Sequence, residues 1–289
     1  MKNVINYYYN IVINEYKKRE NSFLFCIDKN NFEFTQYYGD INKLINLYSI
    51  LRSYRKEVDE IIINRDNQFI TYYEKIPYVL LKKTTNKRKN INLYEINNYD
   101  SNVYINEEIN WKTLWKAKLD YCVIQLNETK INNNLLKESF HYYSALSEIS
   151  ISLLNYVNYK NINFSIAHRR LEKDEDLFNP LNIIIDNKVR DIAEYIKINF
   201  FTDKFDLDEF INYIKTSTFS SDEIILFLAR LMYPSYYFDI YERVYMGKES
   251  QKDLIRIIKK NAEYEAFLKK TYNFFKQLYN IPQIEFLEY

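Results

Sequence analysis

The segment from Ala167 to Lys197, AHRRLEKDEDLFNPLNIIIDNKVRDIAEYIK, contains most of the residue types that phosphoryl transfer requires, in nearly the required order. That chemistry uses a basic carboxylate in His-Arg-Asp-Leu, then an Asn and an Asp that bind magnesium. Here Arg170 occupies the position of the base, after His168 and Arg169. Because a guanidinium stays protonated at any relevant pH, Arg170 cannot accept a proton. The segment has the outline of a catalytic loop without its base.

Of the two residues expected to bind magnesium, one is displaced in sequence and the other has a second interpretation. The Asn should follow His168 by seven residues, but that position is Glu175, and Asn182 comes only after an acidic insertion. Asn182 begins the run N-I-I-I-D, which is similar to the strand that follows a metal-binding Asn in kinases. Asp191 falls where the second magnesium ligand is expected. It could equally be an N-terminal residue of a helix over Ile192–Asn199, where the helix dipole favours a carboxylate.

Two further parts of a phosphotransferase site are missing. The strand over Asn31–Tyr38 contains no lysine for the phosphates, and Lys82 and Lys83 lie beyond the expected position. The acidic residues Asp174–Asp176 could replace the base, although a solvated acidic loop is the simpler interpretation. The only glycines are Gly39 and Gly247, so the chain cannot form a glycine-rich phosphate loop. The sequence therefore keeps the order of a catalytic segment but lacks several residues that phosphoryl transfer requires.

Composition excludes several other classes. The 289 residues carry a formal net charge of +1, which does not indicate nucleic-acid binding. Two histidines, His141 and His168, are too few for a His-rich zinc site, and His141 is expected to pack within an apolar helix. Cys26 and Cys122 are expected to be reduced core residues. No apolar run is long enough for a membrane span, and we expect no signal peptide.

Tyrosine is unusually abundant, with 30 residues. The codon preference of an AT-rich genome explains the accompanying excess of Asn, Ile and Lys. The alternative is oxidative cross-linking of exposed tyrosines in an extracellular or spore-surface layer.

The hydrophobic pattern predicts a small mixed β lobe over residues 1–83, a linker over 84–104 and a mainly helical lobe over 105–289. In the small lobe, a hairpin is predicted around Lys29-Asn30, and apolar residues spaced by three and four predict a helix within Ile41 to Ile61. Two or three strands should follow, with turns near Asn64–Asn67 and Lys75–Pro77. Helices are predicted over Glu107–Thr129, Leu135–Tyr156, Leu207–Thr216, Asp222–Met232 with Ser221 as N-cap, Ser235–Tyr245 and Ser250–Tyr279. This order is typical of an α+β, protein kinase-like fold in two lobes.

Five stretches resemble the spore coat YutH and CotS-type family, kinase-like proteins of endospore-forming bacteria related in fold to aminoglycoside and choline phosphotransferases. VRDIAEYIK (Val189–Lys197) is the most specific. The others are WKTLWKAKLDYC (Trp111–Cys122), SFHYYSALSEISISLL (Ser139–Leu154), AHRRL…NP (Ala167–Pro180) and MYPSYYFDIYERVY (Met232–Tyr245).

The resemblance implies a place in the spore coat and no ordinary phosphotransferase activity. It indicates His168, Asn182, Asp191 and Glu194 as remnants of a nucleotide-metal site, with Asn182 and Asp191 as weak magnesium ligands. No cofactor is expected, although ATP and magnesium stay possible. Other spore coat proteins are the expected partners, and the mother-cell cytoplasm is the expected site of synthesis. An active phosphotransferase and a nucleotide-binding regulatory pseudokinase are the alternatives.

Overall fold

The computed structural model describes residues 1–54, 57–84, 92–96, 110–128, 134–171 and 174–288. The chain forms two compact units. The first comprises Met1–Asp100 and Ile166–Ile185, and the second comprises Ser101–Ser165 and Asp186–Tyr289. Most of the predicted linker, residues 84–104, lies outside the described residues.

The first unit contains an antiparallel six-stranded sheet in the order β1-β2-β3-β6-β4, with β5 also paired to β6. Its strands and helices are β1 (Lys17–Lys18), β2 (Ser22–Ile27), β3 (Asn30–Gln36), β4 (Glu60–Ile62), β5 (Thr71–Tyr73), β6 (Ile76–Lys82), α1 (Lys2–Tyr9), α2 (Ile41–Tyr54) and α3 (Leu93–Ile96). Two more strands, β7 (Phe164–His168) and β8 (Ile183–Asn187), pair with each other, and the boundary between the units passes through both.

The two faces of the large sheet bury different side chains, because successive residues of a strand point in opposite directions. Helix α1 covers one face, where Ile5 packs with Phe32 and Phe34 of β3. Helix α2 covers the other face, where Leu44 packs with Leu81 of β6. The β3 side chains that point toward this second face line a cavity, which is described below.

The predicted helix window, Ile41 to Ile61, is wrong at its C-terminal end, because β4 already begins at Glu60. The helix ends at Tyr54, and Val58 contacts the core from the segment that follows. This exit from the helix places Asp59, which has no exposed surface, where its backbone N–H donates to Phe178 O at 2.9 Å. Periodicity could not show the break, since Val58 keeps an apolar spacing without being helical.

The hairpin turns also differ slightly from prediction. Asp28 and Lys29 have φ values of 47° and 68°, so the β2–β3 turn precedes the predicted position by one residue. Glu74 and Lys75 form the β5–β6 turn, also with positive φ, and Pro77 lies inside β6.

The second unit is mainly helical. Its helices are α4 (Trp111–Glu128), α5 (Asn134–Leu153), α6 (Val189–Phe201), α7 (Leu207–Thr216), α8 (Ser221–Met232), α9 (Ser235–Tyr245), α10 (Gln251–Lys259), α11 (Asn261–Leu278) and α12 (Glu285–Glu288). The predicted helix Ser250–Tyr279 is thus two helices, divided at Lys260, whose side chain pairs with Asp203 and donates to Phe200 O. No helix among the described residues is long and apolar enough to span a bilayer.

Helix α8 is the centre of this unit and packs against both α5 and α6. Every residue from Glu223 to Met232 is buried. Ser220 caps the helix in a reciprocal box with Glu223, so the N-cap is one residue earlier than the predicted Ser221.

Tyrosines form much of the core of the second unit. The rings of Tyr143 and Tyr237 stack with centroids 3.7 Å apart, and the ring of Tyr237 also stacks on Tyr241. Burial raises the pKa of Tyr241 to about 12, so the phenol stays neutral.

Three smaller expectations have mixed outcomes. Cys122 is buried and free, as expected, but Cys26 is exposed and not a core residue. The expectation that His141 packs within a helix is also wrong, because it lies on the exposed side of α5. An apolar neighbourhood in sequence does not determine which side of a helix or strand a residue occupies.

Candidate functional site

The loop that follows β7 is held closed by one side chain. The Asn182 Nδ2 donates to Arg170 O at 2.6 Å and to Asp176 O at 3.1 Å, while its Oδ1 accepts the Arg170 N–H at 3.2 Å. The Arg169 N–H donates to Asn182 O at 2.8 Å. Both amide hydrogens of Asn182 are therefore used to hold the loop that carries the two arginines.

A cavity of about 630 Å³ lies beside this loop, entirely within the first unit. The end of β3 and the turn after it form one side, and the loop forms the other. The lining residues are Glu33, Thr35, Gln36, Tyr37, Tyr38, Gly39, Arg169, Arg170, Asp176, Asn179, Leu181 and Asn182. The exposed Arg169 and Arg170 are the cationic residues of this lining.

The turn at the cavity rim depends on a close approach of Tyr37 to Gly39. A Cβ at Gly39 would meet the Tyr37 hydroxyl oxygen at 2.5 Å, so another residue there would displace the ring. The Tyr37 hydroxyl donates to Asp40 O at 3.1 Å. Burial raises the pKa of Tyr37, and the positive charge of Arg169 opposes that rise. One of the two glycines of the chain is thus used at this rim.

Lys83 lies against β3, although it comes after β6 in sequence. Its Nζ is 2.8 Å from a carboxylate oxygen of Glu33 and 2.9 Å from one of the fully buried Asp59. Burial raises the pKa of Glu33, but the charge and hydrogen bond of Lys83, together with Ser22 and Arg19, outweigh burial and the net shift is downward. Burial lowers the pKa of Lys83, but the two carboxylates outweigh it and the net shift is upward. Strand β3 presents a carboxylate here, and Lys83 neutralises it.

Asp186, the last residue of the N-I-I-I-D run, has a carboxylate that accepts several hydrogen bonds within the second unit. It has no exposed surface. Its Oδ2 accepts from Arg190 at 3.0 Å and Arg230 at 3.0 Å. Its Oδ1 accepts from Trp111 Nε1 at 3.1 Å and from the Asn187 N–H at 2.7 Å. Six hydrogen bonds converge on the two oxygens, counting the Asn187 side chain at 2.6 Å and a second Arg230 contact at 3.2 Å.

Both guanidinium groups lie close to the Trp111 ring. The Cζ atoms of Arg190 and Arg230 each lie 4.5 Å from the ring centroid. This arrangement spreads the two positive charges over an aromatic face and a carboxylate, which stabilises buried arginines. It also joins α4, α6 and α8 around the end of β8.

Asp191 is buried in the first turn of α6, as the helix interpretation predicted. Its charge acts on Arg230. Glu194 accepts from Lys197 Nζ at 2.8 Å and from Ser235 Oγ at 3.1 Å. Burial raises the pKa of Glu194, but Lys197, together with the charges of Arg190 and Arg230, outweighs it and the net shift is downward. Glu194 therefore binds within the protein in this structure.

The predicted site residues fall into two groups. His168, Arg169, Arg170 and Asn182 belong to the first unit, and Asp191 and Glu194 belong to the second. Sequence reasoning missed Asp186, Arg190 and Arg230, although Asp186 ends a recognised motif and Arg190 lies within VRDIAEYIK. It also missed the Lys83–Glu33–Asp59 cluster, because its members are distant in sequence.

Among the described residues, no group of three or more His, Cys, Asp or Glu side chains could hold a metal ion. Asn182 uses its amide hydrogens on backbone carbonyls, and Asp186 faces two guanidinium groups.

Solved structures show which fold this is. The chain is similar to the aminoglycoside phosphotransferase from Alicyclobacillus acidocaldarius subsp. acidocaldarius DSM 446, with a TM-score of 0.61 and 12% identity over 96% of this chain and 97% of that chain. It is also similar to the choline kinase LicA from Streptococcus pneumoniae, with a TM-score of 0.56 and 8% identity over 92% of this chain and 97% of that chain. The class is therefore the aminoglycoside phosphotransferase and choline kinase fold, and the predicted α+β, kinase-like fold is confirmed.

Within this class, the chain belongs to the family described as "Spore coat putative kinase YutH", whose model matches residues 2–271. The "Endospore coat-associated protein YutH" of Bacillus subtilis (strain 168) is 28% identical over 206 residues. That match covers 61% of each chain, so this chain spans about three fifths of the length of the curated relative. The resemblance drawn from the five stretches is confirmed.

Proposed function

We propose that this protein acts in spore coat assembly as a structural component that retains a phosphotransferase scaffold and does not transfer phosphate. The carrying observation is Arg170, a permanently protonated residue at the position of the catalytic base. The lack of a lysine on β3 and of a glycine-rich phosphate loop supports the same conclusion independently.

No cofactor is needed for this role. The fold positions carboxylates and an asparagine after the catalytic loop, and in this chain those groups bind other protein groups. Asn182 orders the loop, and Glu194 pairs with Lys197. Other coat proteins are the proposed partners, and the mother-cell cytoplasm is the proposed site of synthesis before incorporation into the coat. The family membership supports the coat assignment.

Localisation in sporulating cells tests this proposal. A fluorescent fusion of the chain expressed in Bacillus subtilis is expected to form a shell around the forespore. The Arg170→Gln variant should behave identically, because a structural role does not use the position of the base. A diffuse mother-cell signal for the wild type would contradict the coat role. Loss of the shell in Arg170→Gln, with unchanged stability, would contradict independence from the catalytic position.

One observation favours a phosphotransferase as a second candidate. Asp176 lines the cavity beside Arg169 and Arg170, so the acidic insertion contributes a residue to that space. In this candidate Asp176 would take the proton that Arg170 cannot accept. ATP turnover that is lost in Asp176→Asn would establish it.

The retained cavity also favours a third candidate, a regulatory pseudokinase that binds nucleotide without transferring phosphate. A calorimetric titration with ATP and magnesium distinguishes this candidate, because a flat titration excludes it.

A further inference from the structure

Helix α10 has two faces of opposite character. Leu254 and Ile257 are buried on one face. On the other face, Lys252, Arg256 and Lys259 are exposed, at intervals of four and three residues that place them on one side of the helix. These three cations, called the basic face below, have no ion pair with another described residue. A basic amphipathic helix of this kind is typical of attachment to an anionic surface.

Few acidic residues lie near the basic face in sequence. Residues 248–260 include five basic and two acidic side chains, although the whole chain has a net charge of only +1. Of the two acids, Glu249 pairs with Arg243 at 2.8 Å. Asp253 is the other, and the helical repeat places it roughly 100° around the helix from its neighbour Lys252. The exposed Glu263 belongs to the next helix, α11. Positive charge is therefore concentrated at α10 in a nearly neutral protein.

The turn that leads into α10 exposes an apolar side chain. Met246 follows α9, and 49% of its surface is exposed. Gly247 has a φ of 69°, and a Cβ there would meet no atom within 4 Å, so there is open space around this turn. Ser250 then caps α10. An apolar side chain next to a basic helix can enter the headgroup boundary of a bilayer, whereas an acidic polypeptide would pair with the cations alone.

The charges and the methionine together favour a lipid surface. Anionic lipid headgroups attract each Lys or Arg that comes near the surface of the bilayer. From Lys252 to Lys259 the basic face extends roughly 10 Å along the helix, so a flat surface can contact all three cations at once. We propose that the basic face of α10 docks this protein peripherally on an anionic lipid bilayer. This contact would add to the coat role and does not depend on it.

Co-sedimentation of the full chain with sucrose-loaded vesicles tests this inference. The protein is expected to pellet with vesicles of phosphatidylcholine and phosphatidylglycerol in equal parts, and not with phosphatidylcholine alone. Affinity for the anionic vesicles should fall by about twentyfold in Lys252→Gln/Lys259→Gln, since each cation near such a surface contributes about fivefold. The control Lys17→Gln/Lys18→Gln removes the same charge from exposed positions of β1 and should bind like the wild type.

Several results would overturn the inference. These are no pelleting with the anionic vesicles, equal pelleting with neutral vesicles, unchanged affinity in the double variant, and binding that high salt does not weaken. Tighter binding of soluble polyglutamate than of anionic vesicles would show an acidic protein partner instead. Stronger release by inorganic phosphate than by chloride at equal ionic strength would show a phosphate site.

A single substitution keeps the inference testable if the double variant fails to fold. Arg256→Gln removes one exposed cation of the basic face and should lower the affinity for anionic vesicles by about fivefold. Unchanged affinity in this variant would also contradict the inference. The localisation experiment does not depend on these outcomes, so the two proposals can fail separately.

Discussion

The Nη2 atom of Arg230 lies 3.0 and 3.2 Å from the two carboxylate oxygens of Asp186. Both residues are almost completely buried, and Arg190 and Trp111 complete the group. Asp186 follows the candidate catalytic loop at the end of β8, and Arg230 lies in α8. The pair lies wholly within the second unit and joins Asp186 to the central helix of that unit.

The first prediction concerns this pair. Arg230→Met should lower the free energy of unfolding by about 3–5 kcal/mol, because it leaves the Asp186 carboxylate buried with one guanidinium fewer. Urea denaturation followed by tryptophan fluorescence measures the change. The chain has two tryptophans, Trp111 and Trp115, and both report on the second unit.

The matched control for Arg230→Met is Arg256→Met, an exposed arginine of α10, which should change stability by less than about 0.5 kcal/mol. Adding Asp186→Asn to Arg230→Met should cost less than Asp186→Asn alone, since the partner has already been removed. Additive effects in this double-mutant cycle would show that the two residues do not stabilise each other.

The second prediction concerns Lys83. Lys83→Met should destabilise the protein by about 3 kcal/mol or more, because the fully buried Asp59 then lacks its cation. Lys82→Met is the control, since Lys82 is its neighbour in sequence and has no ion pair among the salt bridges described. Thermal melting by circular dichroism measures both variants, and equal melting temperatures would contradict the cluster.

The third prediction gives the pH dependence of the same cluster. The folded-state pKa of Glu33 is below its ordinary 4.5, so its stabilisation is present above that pH and is lost as pH falls through the lowered value. The folded-state pKa of Lys83 is above 10.5, so its stabilisation is present below that pH and is lost as pH rises through the raised value. The difference in stability between wild type and Lys83→Met should therefore be largest between these limits. An increase in that difference below pH 4 would contradict the assignment.

The fourth prediction concerns the loop clamp. Asn182→Ala removes three side-chain hydrogen bonds and should make the backbone of residues 169–171 and 174–182 exchange amide hydrogens faster. Hydrogen exchange with mass spectrometry measures this region directly. Asn212→Ala, at an exposed position of α7, is the control. Unchanged exchange in Asn182→Ala would show that the loop is ordered by other contacts.

The sequence predicted the ends of helices correctly where the spacing of apolar residues was sufficient by itself. Helices Leu207–Thr216 and Ser235–Tyr245 were predicted with their observed ends, because their apolar spacing and flanking residues agree. It failed where a helix continues its apolar spacing past its end, as at Val58, and where two helices meet at Lys260. Tertiary contacts of Asp59 and Lys260 determine those ends.

The candidate site was predictable only in part, for a related reason. The loop segment was recognised because its residues are contiguous. Asp186 and Arg230 are 44 residues apart, and Glu33 and Lys83 meet through the sheet. One sequence cannot show such pairings. The motif therefore indicated where the candidate site lies, and the structure indicated which residues pair with its charged side chains.

The most direct test of the account is ATP turnover by the wild type and by Arg170→Asp, measured with labelled γ-phosphate and magnesium. Arg170→Asp restores the missing base. We predict no turnover above the protein-free control in either case, because a carboxylate at position 170 supplies neither the lysine that β3 lacks nor a glycine-rich phosphate loop. Turnover by the wild type that disappears in Asp191→Ala would contradict the account and identify an active phosphotransferase.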